Sequence, residues 1–362
     1  MNLRIPGPTP LPPAVRQAMV EAIPGHRSKA FERLLADVTR LLKPVFGTEG
    51  DVLVLTGSGT GGLEAAAANV LSPGDTVLSV TIGSFGERFA ENAEAFGAAV
   101  TRLDFPRGQA ADPDAVAAKL QATPGATALL LTHCETSTGV VNDLAGIVAA
   151  ARRVQPNLTV VVDAVSSLAG MPMRADEWGC DVVVTASQKA LMAPAGLALV
   201  AVTPRGWEAV ERAKMPRYYW DFRRARKFAT RSQTPYTPAI NALEGLQAGL
   251  SLIMAEGLEA VYARHARLAK KVRDGLREIG FRLVADERVA SPTITAAWVP
   301  EGLSANALVS LLEDRYQVYL TAGHAKDKTI RIAHMGWVNE DDVNRALAAI
   351  AAGTRELQGG GA

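Results

Sequence analysis

The sequence predicts an α/β protein: a large domain with a mostly parallel seven-stranded sheet between helices, then a small C-terminal α+β domain. Three observations predict it. From residue 50, short β-branched or leucine-rich runs alternate with alanine-rich helical stretches. The runs are continuously apolar, as strands buried on both faces require. After the long helical stretch that begins near residue 240, the chain reads β–α–β–α on a smaller scale.

The chain opens on Pro6-Gly7-Pro8-Thr9-Pro10-Leu11-Pro12-Pro13. Proline lacks a backbone donor and fixes φ, so this is a stiff extended arm. Helical patterns come next, from about Ala14 and over 28–46. The seven strand runs are 52–55, 76–80, 98–103, 128–132, 159–162, 182–185 and 197–202. Helical stretches at 62–70, 85–96, 113–121 and 144–154 separate most of them. Around 215–237 the rhythm gives way to an aromatic, basic, proline-marked segment. A long helix is expected over 240–279. Then come strands at 282–285 and 294–299, a helix at 305–315, a strand at 330–333 and a last helix near 341–351. The expected division is an arm over 1–14, a large domain over 15–245 and a small domain over 246–362.

The net charge is +1, which argues against a nucleic-acid partner, whose binders carry a basic excess. The single cationic run, Arg223-Arg224-Ala225-Arg226-Lys227, reads as a solvated surface loop. Two cysteines, Cys134 and Cys180, give no disulfide framework and fit a reducing compartment. No apolar run reaches membrane-spanning length, and no secretory signal pattern opens the chain. A cytoplasmic protein with neither membrane nor metal is expected.

Four polar signals each come just after an apolar run. Ligands of open α/β sheets bind beyond the carboxyl ends of the strands, so the four together predict a site. The first is Thr56-Gly57-Ser58-Gly59-Thr60-Gly61-Gly62, a small-residue loop at a helix N-terminus that suits a phosphate. It also matches G-x-G-x-x-G, with Asp75 near the ribose-binding offset, so a dinucleotide reading stays open, as does a plain tight turn. The second is Asp163, a carboxylate closing an apolar strand, costly to bury unless paired; taken alone it also reads as a cap or surface aspartate. The third is Lys189, whose apolar flanks lower the amine pKa and free it for Schiff-base chemistry; alone it also reads as an ordinary exposed lysine. It lies 26 residues after Asp163, one strand–helix–strand unit, so neighbouring strand ends can present both. The fourth is Phe85, an aromatic between glycines that suits a flat ring or the core. Pyridoxal phosphate uses all four: Asp163 for a cationic pyridine nitrogen, Lys189 for the aldehyde, residues 58–60 for the phosphate, Phe85 for the ring face.

With these and further segments in order, the chain resembles the class V aminotransferases, in their alanine–glyoxylate/serine–glyoxylate branch, among fold type I pyridoxal-phosphate enzymes. The marks include Pro6-Gly7-Pro8, Gly83-Ser84-Phe85-Gly86-Glu87-Arg88, His133-Cys134-Glu135-Thr136-Ser137-Thr138-Gly139, Asp163-Ala164-Val165-Ser166-Ser167, Ser187-Gln188-Lys189-Ala190, Tyr218-Tyr219-Trp220-Asp221, Thr234-Pro235-Tyr236-Thr237-Pro238 and Arg331-Ile332-Ala333-His334-Met335-Gly336. The resemblance implies a role for each site residue. Lys189 is the Schiff-base lysine and proton shuttle, and Asp163 holds the pyridine nitrogen protonated. Val165 and Phe85 sandwich the ring, and Ser58, Gly59, Thr60 and Gln188 hold the phosphate. Thr136 meets the phenolic oxygen side. Thr234 and Thr237 reach the phosphate of a neighbouring subunit in a homodimer with shared active sites. Arg331 clamps the substrate carboxylate, and Gly7 lines its pocket. His26 or Arg27 is a candidate reader of the substrate side chain. Many relatives have tryptophan in place of Phe85, serine in place of Thr136 and a bulkier aromatic near Thr234.

The implied reaction moves an amino group from a small amino acid, alanine or serine, to a small 2-oxo acid, glyoxylate or pyruvate. Three alternatives remain at this level: a lyase or cysteine desulfurase of the same superfamily, a nucleotide-dependent dehydrogenase using Gly57, Gly59 and Gly62, and a cofactor-free regulator on the same scaffold.

Overall fold

The computed structural model describes residues 1–21, 23–323 and 325–359. The chain starts with β1 (Asn2–Leu3), α1 (Pro13–Ala18) and α2 (Lys29–Phe46). The alternating region is β2 (Asp51–Thr56), α3 (Gly59–Val70), β3 (Thr76–Thr81), α4 (Ser84–Ala95), β4 (Ala99–Asp104), α5 (Pro113–Gln121) and β5 (Ala126–Thr132). It continues through the short β6 (Cys134–Glu135) and β7 (Val140–Val141), then α6 (Leu144–Val154), β8 (Thr159–Asp163), α7 (Ala175–Trp178), β9 (Val182–Ala186) and β10 (Leu197–Val202). Four helices come next: α8 (Pro204–Arg212), α9 (Phe222–Ala229), α10 (Ile240–Glu256) and α11 (Leu258–Glu278). The remainder is β11 (Arg282–Leu283), β12 (Ile294–Trp298), α12 (Ala305–Tyr316), β13 (Val318–Tyr319), β14 (Thr321–Ala322), β15 (Thr329–Ala333) and α13 (Glu340–Gly359).

All seven expected strands form one sheet, in the order β2-β10-β9-β8-β5-β3-β4. Only β10 is antiparallel to its neighbours, so the other six strands point the same way. Helices cover both faces, which is why the central strands are apolar throughout. Val160, Val161 and Val162 of β8 are fully buried, and each such side chain contributes about 1.5–3 kcal/mol. A second, four-stranded sheet, β11-β12-β15-β14, carries α11, α12 and α13.

Two expectations need correction. The helix expected over 240–279 is two helices, broken at Gly257, which adopts φ +87°. α10 packs on α1 and α2, and Leu246, Leu250 and Ile253 join the large-domain core. The separate core of the small domain gathers Leu268, Val272 and Leu276 with β12, β15, α12 and α13. Gly257 thus lies between the helix that joins the large core and the helix that joins the second one. The cationic run 223–227 is helix α9, not a loop. Asp221 caps it by accepting from the Arg223 and Arg224 amides, and Phe222 and Ala225 anchor it inward. Arg226 stacks over Trp207 at 4.3 Å and pairs with Asp51 at 2.9 Å.

The proline arm docks rather than projecting. Thr9 lies between prolines and keeps its N–H, which donates to the Gln188 carbonyl at 3.1 Å; its hydroxyl donates to the Lys189 carbonyl at 2.9 Å. Nearer the N-terminus, β1 pairs with β13 of the small domain. The arm thus crosses the junction of both domains over the end of β9.

Candidate active site

Because six strands run one way, the residues just past β2, β3, β5, β8 and β9 emerge on one edge of the sheet. There Ser58, Gly59, Thr60, Phe85, Thr136, Asp163, Val165, Gln188 and Lys189 line a single cavity of about 180 Å³, with Leu63, Arg88 and Ser166 completing its wall.

The floor is the β8–β9 pair. In the parallel register Asp163 faces Val184, which brings the end of β8 beside the segment leading to Lys189. Asp163 is 5% exposed, and its Oδ1 accepts from the Val165 amide at 2.8 Å. Burial is the main cause that pushes its carboxyl up to about 7, with Glu135 raising it further and Lys189 and Arg88 opposing. Lys189 moves the other way. Burial lowers its amine to about 8, Asp163 opposes that, and Arg331 adds to it. The Lys189 Nζ donates to the Pro6 carbonyl.

The phosphate-loop expectation rests on the start of α3. Ser58 is the N-cap, and its hydroxyl accepts from the Gly61 amide at 3.3 Å. By position the amides of Gly59 and Thr60 have no intrahelical acceptor. A Cβ on Gly59 would sit 2.8 Å from Val165 Cγ2, so only glycine lets this turn close on the cavity floor. Among the described residues the buried Oε1 of Gln188 has no hydrogen-bond partner; it is an acceptor, so toward a phosphate Gln188 would present its carboxamide N–H. The expected cofactor answers these groups. Its phosphate suits a helix N-terminus with free amides. Its pyridinium suits a buried carboxylate short of a cation. Its aldehyde suits an amine whose pKa is depressed.

Gly7 and Arg331 do not line that cavity; Gly7 lies against Lys189, and Arg331 acts on the Lys189 amine through its charge. A Cβ on Gly7 would lie 2.8 Å from Lys189 Nζ. Arg331, on β15, is 9% exposed, its Nε has no partner, and its Nη2 reaches the Ala322 carbonyl at 3.4 Å. Thr234 and Thr237 lie outside the cavity of their own chain. The Thr234 hydroxyl donates to the Tyr236 carbonyl at 2.7 Å, and Thr237 is exposed. Arg27 is engaged away from the site, donating to the carbonyls of Thr234 at 2.6 Å and Pro235 at 3.2 Å. Sequence reasoning assigned no role to Arg88, Ser166 or Glu135. Arg88 lies one helical turn after Phe85, and its guanidinium sits 4.7 Å over that ring; the i, i+3 spacing was the available signal. The Thr136 and Ser166 hydroxyls are 2.5 Å apart.

The rival readings meet specific obstacles. Asp75 sits ahead of β3, accepting from the Ser72 amide at 2.8 Å. That is the opposite end of the sheet from Gly57, Gly59 and Gly62, so no ribose could span them. Cys134 and Cys180 are both buried, and burial pushes their thiols up to about 11 and about 12. Neither is the accessible thiolate a desulfurase needs.

Known proteins resemble this chain in sequence and in fold. The family model described as Aminotransferase class-V matches residues 2–346. The chain is 40% identical to a soluble hydrogenase 42 kDa subunit of Anabaena cylindrica, over 97% of this chain and 92% of that one. It is 38% identical to an L-aspartate–glyoxylate aminotransferase of Paracoccus denitrificans, over 92% of this chain and 85% of that one. Among solved structures it resembles an alanine–glyoxylate aminotransferase from Nostoc sp., with TM-score 0.94 and 30% identity, covering 98% of this chain and 95% of the other. The chain belongs to the class V aminotransferases, pyridoxal-phosphate-dependent enzymes of fold type I.

Proposed function

We propose that this enzyme transfers the amino group of a small amino acid, alanine or serine, to a small 2-oxo acid, glyoxylate or pyruvate. The observation that carries the reading is the meeting of Lys189 and Asp163 at adjacent strand ends in one cavity, with Gly7 against the lysine. Glyoxylate as acceptor is supported by the activities that name the Paracoccus and Nostoc relatives.

Ser58, Gly59, Thr60 and Gln188 would hold the phosphate, Phe85 and Val165 the two ring faces, and Thr136 the phenolic oxygen side. Asp163, buried at the cavity floor with its carboxyl pushed up, would hold the pyridine nitrogen protonated. When bound, pyridoxal phosphate supplies an aldehyde to accept the amino group and an electron sink for the bond broken at the donor's α-carbon. Lys189 Nζ would take and hold the α-proton of the donor and, with the acceptor, would return a proton to the α-carbon. With a pKa of about 8, roughly a tenth of this amine is free base at pH 7. Arg331 would clamp the substrate carboxylate, and the narrow space left by Gly7 keeps Lys189 aimed.

We also propose a cytoplasmic homodimer with shared sites. An exposed aromatic ridge supports the second copy. Tyr218 is 68% and Tyr219 48% exposed. Tyr219 and Tyr236 stack at 5.1 Å, and Arg224 lies over both Tyr218 and Tyr236. The ridge adjoins the phosphate loop, since a Cβ on Gly61 would meet the Trp220 ring at 3.1 Å. The exposed Thr237 beside this ridge would serve another chain's cavity. The free buried thiols fit a reducing compartment.

The test is spectroscopic. The purified protein is expected to bind pyridoxal phosphate with a visible absorption band that alanine or serine bleaches and glyoxylate restores. Lys189→Ala is expected to lose both band and turnover. A protein that stays colourless with added cofactor would overturn the proposal.

A further inference from the structure

Helix α4 carries Phe85 in its first turn but has no cap of its own. Its N-cap residue is Gly83, which offers no side-chain acceptor. The free amides of a helix start must find acceptors elsewhere. Here they find them on the strand-end segment beyond β5. Glu135 Oε2 accepts from the Phe85 amide at 3.0 Å and the Gly86 amide at 3.1 Å. The Ser137 hydroxyl accepts from the Ser84 amide at 3.1 Å. Glu135 Oε1 accepts from the Ser137 hydroxyl at 2.6 Å and the Ser137 amide at 2.9 Å.

Glu135 is fully buried, and no arginine or lysine lies within ion-pair distance of it among the described residues. Its charge is met by amides, a hydroxyl and the positive end of α4. A buried carboxylate is an expensive way to cap a helix; a serine or aspartate at the cap position does it at the surface. The arrangement also demands close approach, because a Cβ on Gly83 would sit 2.5 Å from Glu135 Cγ. The same carboxylate opposes ionisation of Asp163 and supports the charge of Arg331. It therefore stands behind the Phe85 wall and acts on Asp163 without lining the cavity itself.

We propose that Glu135 is a positioning residue that fixes the turn bearing Phe85, and so sets the ring-stacking wall of the cofactor site. This rests on the placement of the cofactor against Phe85 given above. Glu135→Gln keeps the shape and one acceptor, but turns a carboxamide NH2 donor toward backbone amides that need an acceptor.

The experiment titrates the cofactor-free protein with pyridoxal phosphate, reading the dissociation constant and the absorption maximum of the bound cofactor. The variants are Glu135→Gln, Phe85→Ala and the double variant. Glu135→Gln is expected to weaken binding about tenfold and shift the maximum, since hydrogen bonds to a buried charge are among the stronger ones. In the Phe85→Ala background the same change is expected to cost less than about twofold, because residues acting through one another are non-additive. Ser137→Ala, which removes one link to the same turn, is expected to weaken binding about threefold and serves if Glu135→Gln does not fold. Additive losses, or unchanged affinity and spectrum in Glu135→Gln or Ser137→Ala, overturn the inference while leaving the stacking of Phe85 intact. Unchanged affinity in Phe85→Ala removes the stacking reading itself, and this inference with it.

Discussion

Gly7→Ala isolates one of the tightest approaches in the site. The new Cβ would lie 2.8 Å from Lys189 Cδ and Nζ and 2.9 Å from Cε. Carbon atoms settle near ~3.5 Å, so the lysine must retreat by about 0.7 Å. The backbone cannot yield instead, because flanking prolines and the Thr9 bonds pin the arm. A reacting group displaced by about 1 Å costs up to ~100-fold in rate, so kcat for amino-group transfer is expected to fall ~10- to 100-fold. A second cost is conformational: Gly7 has φ +126°, where an alanine is strained by ~1–3 kcal/mol. Gly74→Ala separates the two. Gly74 also has positive φ, +82°, but no atom lies within 4 Å of its would-be Cβ. It is expected to lower the melting temperature while leaving kcat unchanged. Steady-state turnover and thermal melts on both variants decide the matter. A Gly7→Ala enzyme within twofold of the parent kcat, or a Gly74→Ala enzyme equally impaired, would refute the reasoning.

Two further outcomes come from buried charge. Burial lowers His133 and His265 to about 4 and His334 to about 3. Their folded values lie below the unfolded value of about 6.5, so the stability they allow is full above that pH and drains away as pH falls toward 4. Asp163, raised to about 7, works against them over the same window, because the folded state holds its proton there. With three protons favouring the unfolded chain and one the folded, urea titrations of the cofactor-free protein are expected to lose about 2–3 kcal/mol between pH 6 and pH 5; a flat profile contradicts this. At the other end of the sheet, Arg152 Nη2 pairs at 2.9 Å with Asp181, whose side chain is 3% exposed. Arg152→Ala leaves that carboxylate to Arg205 at 3.3 Å and the Val160 amide at 2.7 Å, so it is expected to cost about 1.5–3 kcal/mol with turnover per folded molecule unchanged; loss of turnover in the folded fraction counts against it.

The two ends of the sheet explain which parts of the protein were legible beforehand. A strand buried on both faces writes itself into consecutive residues, so all seven strands of the large sheet were readable within a residue or two. The residues immediately after each strand are equally local, so Ser58, Phe85, Asp163 and Lys189 could be nominated, and one strand–helix–strand unit predicted Asp163 and Lys189 as neighbours. The bare glycine motif with Asp75 misled because spacing along the chain does not say which end of the sheet a residue occupies.

The sequence by itself determined the fold class, the family resemblance and the residues at the strand ends, because those depend on periodicity and short separations. Only the tertiary structure decided what closes around them. Pro6 meets Lys189 across 183 residues, and Glu135 reaches the Phe85 amide across 50. Arg331 arrives from a separate sheet. The helix at 222–229 and the break at Gly257, by contrast, have local signals in the Asp221 cap and the glycine itself. The long-range contacts are set by which strands lie side by side and which way they point, and those are properties of the assembled sheet that no window of sequence contains.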